Sequence, residues 1–170
     1  MSLFVLWVRE FDFQRETLGM IRTVVAVSAV VLGMTAAVAQ AQDPVAARRE
    51  LMKALGAQEY GVLSRMVRGQ RPYNQAEVDA AYKSLADNAG KIASVFPPES
   101  NKGPDPASNY YASPKIWESK ADFDTKIANL AKAIAENKDK VKDLETLKAV
   151  FPLVNNQCGA CHDAYQLRKS

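Results

Sequence analysis

From Asp43 onward, apolar residues return at alternating steps of three and four, the spacing that keeps one face of an α-helix against a core. The first such stretch opens with Asp43 as N-cap and Pro44 at the first helical position, and runs to about Arg68, where Gly69 offers a stop. Its inward stripe takes in Val45, Met52, Leu55, Leu63 and Met66. A second helix opens at Asn74, with Glu77 three residues on in the manner of a capping box. Val78, Tyr82, Leu85, Ala89, Ile92 and Phe96 carry its stripe as far as Pro97-Pro98, which ends it. After a Pro-, Ser-, Asn- and Gly-rich loop over residues 97–113, a third helix starts at Ser113-Pro114 and reaches about Asn137, with Ile116, Phe123, Ile127, Leu130 and Ile134 inward. The fourth begins near Asp143 and runs to the end of the chain. Leu144, Leu147, Phe151, Val154, Cys158, Cys161, Tyr165 and Arg168 keep its period, while Pro152 predicts a kink or a delayed regular start. No strand alternation and no repeat stands out. Four amphipathic helices with short or moderate connections predict an all-α, up-down-up-down four-helix bundle.

The beginning of the chain has a different pattern. Met20-Ile21-Arg22 opens a short positive segment, Val24 to Leu32 is almost wholly apolar, and Ala37-Val38-Ala39 and Ala39-Gln40-Ala41 both fit a small-x-small cleavage site. Residues 20–41 therefore read as an export signal, with an uncleaved N-terminal anchor as the alternative. The apolar stretch is short against the roughly 20 residues a membrane span needs. Residues 1–19 carry Glu10, Asp12 and Glu16, the wrong sign for the head of a signal, and read as a start-site artefact with translation beginning at Met20. The mature domain is then 42–170, and export places it in the bacterial periplasm, an oxidising space, with no membrane anchor after cleavage.

Charge changes the picture little. Residues 42–170 hold 19 basic and 16 acidic side chains, a balance too mild for nucleic acid, and no basic run is interleaved with aromatics. Cysteine and histidine change it a great deal. The chain has two Cys and one His, and all three fall within five residues: Cys158-Gly159-Ala160-Cys161-His162. A disulfide three residues apart closes a loop too small to stabilise much. A redox pair of thioredoxin type would follow a strand, and structural zinc would need four ligands that this chain lacks.

The pattern is that of covalent c-type haem attachment. On a helix, Cys158 and Cys161 share a face and both thiols can reach the vinyl groups along one porphyrin edge. His162 follows one residue later, so its imidazole can turn over the ring and ligate the iron. One histidine fills one axial position. Of the five methionines, Met52 and Met66 lie in the mature chain outside the signal, and they are about four helical turns apart.

With its attachment motif at the C-terminus of a helical bundle, and with Arg49-Glu50-Leu51-Met52-Lys53, Pro72-Tyr73-Asn74-Gln75-Ala76 and Ser113-Pro114-Lys115-Ile116-Trp117-Glu118, the mature chain resembles the class II cytochromes c, which include cytochrome c′ and the low-spin cytochrome c-556 type. The resemblance implies that Met52 faces the distal side of the haem, bound to iron as in the low-spin members; the alternative is a packing methionine. It implies that Arg48 or Arg49 sits near the haem propionates, against the alternative of a solvated arginine. It also implies that Trp117 packs at the haem edge, against that of plain core. One departure is Gln166, four residues after His162, where the family commonly places a basic residue. The expected function is a non-enzymatic electron carrier with a His162/Met52-ligated iron, exchanging electrons with periplasmic redox proteins as a monomer or homodimer. The competing expectation is a five-coordinate haem protein of the cytochrome c′ type that binds nitric oxide or carbon monoxide.

Overall fold

The first helix shows how local sequence sets the frame. A computed structural model describes residues 43–170; the expectations for residues 1–19 and 20–41 lie outside them. Helix α1, Pro44–Gln58, starts as expected: the Asp43 carboxylate accepts from the Val45 N–H at 3.1 Å and Pro44 stands at the first position. A π turn, Glu59–Leu63, then joins it to α2, Ser64–Val67, with the Ser64 N–H donating to the carbonyl five residues back on Glu59. The eight residues from Leu55 to Leu63 would put them about 80° apart around an unbroken α-helix. The extra residue in the π turn returns Leu63 and Met66 to the core, where both are buried. The helix stops at Gly69, φ 69°, with Gly69 N–H on Met66 O and Gln70 N–H on Arg65 O, the paired bonds of a Schellman motif.

Helix α3, Gln75–Ala89, is capped by Asn74, whose side chain accepts from the Glu77 N–H at 3.1 Å. The box is not closed, because the Glu77 carboxylate is taken by Arg71 at 2.6 and 2.9 Å. The helix also ends at Ala89, short of the expected Phe96. Beyond Gly90 the chain tightens into a 3-10 turn, Ala93–Val95, that still buries Ile92 and Phe96. The third helix is interrupted as well. Ser119 leaves helical geometry (φ −124°, ψ 48°) and separates α4, Lys115–Glu118, from α5, Lys120–Asn137.

Helix α6, Leu144–Tyr165, begins on time under a capping box in which Asp143 and Thr146 exchange side-chain-to-backbone bonds, and it continues through Pro152. It does not run to the chain end. Gln166–Arg168 form β2, antiparallel to β1, Tyr110–Ala112, in the register Tyr110↔Arg168, Tyr111↔Leu167 and Ala112↔Gln166. The ladder is extended by Ser113 N–H on Tyr165 O and Lys169 N–H on Asn109 O, both at 2.9 Å. Three residues a side are too few to show alternation in the sequence. The bundle is the expected one: α1 packs on α3, α3 on α5, α5 on α6, and α2 returns to α6. Its aromatic centre is Phe123, edge-on to Phe96 at 4.8 Å and to Tyr165 at 5.3 Å between ring centroids. Among the described residues no helix is long and apolar enough to cross a membrane.

Candidate functional site

A cavity of about 460 Å³ opens between the first helix and the end of the last, with α5 and the β1 strand contributing walls. From α6 it is lined by Cys158, Cys161 and His162, and from α1 by Arg48, Arg49 and Met52. The spacing of three that α6 imposes puts both thiols on this wall, half-buried and unbridged. His162, on the next residue, is exposed and also lines the cavity. Met66 is fully buried in the core and does not line it.

The thiols do not have the electrostatics of a reactive redox pair. Burial, helped by the neighbouring Glu59, pushes the Cys158 thiol up to about 12, and burial raises Cys161 as well. Reactive dithiols have lowered values. Although the ring is open to solvent at the cavity, the protein packed around it pulls the His162 imidazolium down, with Asp163 opposing, which favours the neutral form that ligates metal.

The two arginines are held by the protein. The Arg48 guanidinium donates to Val95 O at 3.2 and 3.3 Å and to Ser100 Oγ at 2.7 Å, and it lies 4.1 Å from the Phe96 ring centroid. Arg49 donates to the Asp105 carboxylate at 2.8 Å, closing the long loop onto α1. Trp117 is not part of the cavity wall. Its indole N–H donates to Pro97 O, and its ring stands 5.6 Å from the Arg48 guanidinium carbon, so it supports Arg48 from behind. Gln166 sits in β2 and gives its backbone N–H to His162 O.

Three residues that the sequence reading passed over matter here. Ser100 and Asp105, in the loop, anchor the arginines. Glu59 lines the cavity and is 4% exposed, with Oε1 meeting no donor in the protein. A signal for Glu59 was present: it stands seven residues after Met52, hence on the same helical face.

The cavity lies in the size range of cofactor sites, about 300–1,000 Å³. Two thiols three residues apart, an imidazole one residue further and a thioether from another helix suit a haem held covalently. Comparison with known proteins agrees. A family profile described as cytochrome c′ matches residues 43–166. Cytochrome c-556 of Rhodopseudomonas palustris is 43% identical over 148 residues, covering 86% of this chain and 97% of that relative. A cytochrome c′ of the same organism is 38% identical over 141 residues, covering 83% and 92%. The solved structure of cytochrome c′ from Rhodopseudomonas palustris superposes with a TM-score of 0.68 at 35% identity, over 76% of this chain and 99% of that one. A matching profile over most of the chain, a matching bundle and a cavity walled by Cys158, Cys161 and His162 lead to one assignment: the chain belongs to the cytochrome c′ family and carries covalently bound haem c.

Proposed function

We propose that the protein is a periplasmic electron carrier and not an enzyme, with Cys158 and Cys161 holding the haem and His162 and Met52 holding its iron. The observation that carries this reading is that Met52, from the first helix, lines the same cavity as the three motif residues of α6. Haem c supplies a one-electron ferric/ferrous couple. The two cysteines fix the ring by thioether bonds on one wall. His162 would give an imidazole nitrogen to the iron. Met52 gives a thioether sulfur, which favours the ferrous iron and raises the potential. Arg48 and Arg49 line the cavity and would be the cations available to the haem propionates. Partners are periplasmic redox proteins, and the mild positive charge of +3 favours those with an acidic docking face.

Absorption spectra of the haem-loaded protein test the ligation. A sharp low-spin α band on reduction, unmoved by carbon monoxide, is expected, and Met52→Leu should abolish it. A high-spin ferrous spectrum in the unaltered protein that shifts with carbon monoxide would replace this reading with that of a five-coordinate gas-binding haem protein.

A further inference from the structure

Glu59 is the one buried glutamate among the described residues. It opens the π turn, seven residues and about 10 Å along the helix from Met52, and lines the haem cavity. A carboxyl group so placed has to be neutral or find a counter-charge, since an isolated buried carboxylate is expensive. No Lys or Arg among the described residues forms an ion pair with it. The titratable groups facing it are Tyr82 from α3, Cys158 from α6 and its neighbour Tyr60 on its own helix. The Tyr82 hydroxyl is itself buried without a partner in the protein. None of these brings positive charge.

We propose that Glu59 is a proton-binding site coupled to the haem couple, so that over part of the pH range the protein carries one proton with each electron. The inference rests on the redox-cycling reading above. Burial already raises the Glu59 carboxyl, and the group that opposes this is the Cys158 thiol. Cys158 carries haem through a thioether bond and is not an iron ligand. Once that bond forms, the S–H donor is gone and the neutral acid is favoured further.

Glu59 then responds to the iron's charge. With haem bound in the cavity, a ferric iron would favour the Glu59 carboxylate more than a ferrous iron would, so the proton affinity of Glu59 would rise on reduction. When a one-electron donor delivers an electron, Glu59 takes one proton from solvent, so its –COO⁻ becomes –COOH and the net charge of the site is unchanged. Oxidation returns both. π turns recur at functional positions in helices, and here the turn begins on this residue.

Spectroelectrochemical titration of the haem-loaded protein, from about pH 4 to about pH 9, spans an ordinary carboxyl and a strongly raised one. The midpoint of the unaltered protein should fall with pH over part of this window. At one proton per electron the reduction equilibrium changes tenfold per pH unit, about 59 mV for a one-electron couple. Glu59→Gln should flatten that segment. A flat profile in the unaltered protein, or a slope that survives in Glu59→Gln, overturns the proposal; the surviving slope would assign the proton to the haem propionates. Should Glu59→Gln fail to accumulate with haem, redox-difference infrared spectra of the unaltered protein decide. A protonated-carboxyl stretch that grows on reduction and moves with glutamate isotope labelling is expected, and its absence counts against Glu59. The absorption spectrum at each potential reports Met52 separately. A high-spin spectrum with the pH slope intact removes the His/Met reading and leaves Glu59 standing; a low-spin spectrum with no slope does the reverse.

Discussion

Replacing Arg48 with methionine should destabilise the haem-loaded protein by about 2–3 kcal/mol. The guanidinium makes two bonds to Val95 O and one to Ser100 Oγ, and it lies over the Phe96 ring. Hydrogen bonds from a charged donor contribute about 1.5–3 kcal/mol each, and an exposed-to-intermediate cation–π contact about 0.5–1 kcal/mol. Against this stands the cost of partly burying a guanidinium, which is also what pulls the Arg48 pKa down despite Asp105 and Asp43. Methionine keeps the aliphatic stem against Phe96, and Ser100 Oγ keeps its bond to Pro97 O, so only part of the gross sum is lost. Over the 128 residues from 43 to 170, an unfolding entropy of about 2.1 cal/mol/K per residue converts 2.5 kcal/mol into a Tm drop of roughly 9 °C. Thermal unfolding followed by helical circular dichroism reads this directly, with Arg48→Lys as the comparison that keeps the charge and loses the planar fork. Arg48→Met within about 0.5 kcal/mol of the unaltered protein would refute the reasoning, because the tie between α1 and the loop would then contribute nothing beyond packing.

Phe123→Ala removes the ring that touches both Phe96 and Tyr165 and is 1% exposed; urea unfolding should show a loss of about 3–5 kcal/mol. Asp105→Asn should cost about 1 kcal/mol at neutral pH by weakening the tie to Arg49. The Ala107 N–H and then Arg49 hold the Asp105 carboxyl below its ordinary range. Its contribution is therefore complete above that range and is lost as pH falls through the lowered value, so the gap between the two proteins should close in acid. Cys158→Ser should leave haem on a single thioether, and the alkaline pyridine haemochrome band should move to longer wavelength.

The helices could be read from the chain because they are amphipathic and three of them open on side-chain caps that act within a few residues, at Asp43, Asn74 and Asp143. The attachment motif could be read because its spacing is set by one helical turn. What could not be read depends on contacts distant in sequence or on small departures from ideal geometry. Arg48 finds its partners 47 and 52 residues away, so whether it faces a propionate or the protein's own loop is a tertiary matter. The early end of α3 at Ala89 leaves no mark in the apolar period, which continues past it to Phe96. Gln166–Arg168 leave the helix because Tyr110–Ala112 offer a ladder, a choice invisible to local periodicity. Glu59 carries no local mark of its burial, because whether an acid on this face meets solvent or a cavity depends on elements distant in sequence.

The π turn also bears on how such a helix can evolve. It works as a slip joint: the rotational phase of Pro44–Gln58, which faces the cavity, is set apart by one residue from that of Ser64–Val67, which faces the core. Changes that re-tune the cavity wall around Met52 need not be matched by repacking at Leu63 and Met66. Conversely, deletion of a single residue between 59 and 63 would re-lock the two halves into one continuous α-helix. An insertion or deletion at this joint would alter the environment of the cofactor while keeping the bundle that holds it.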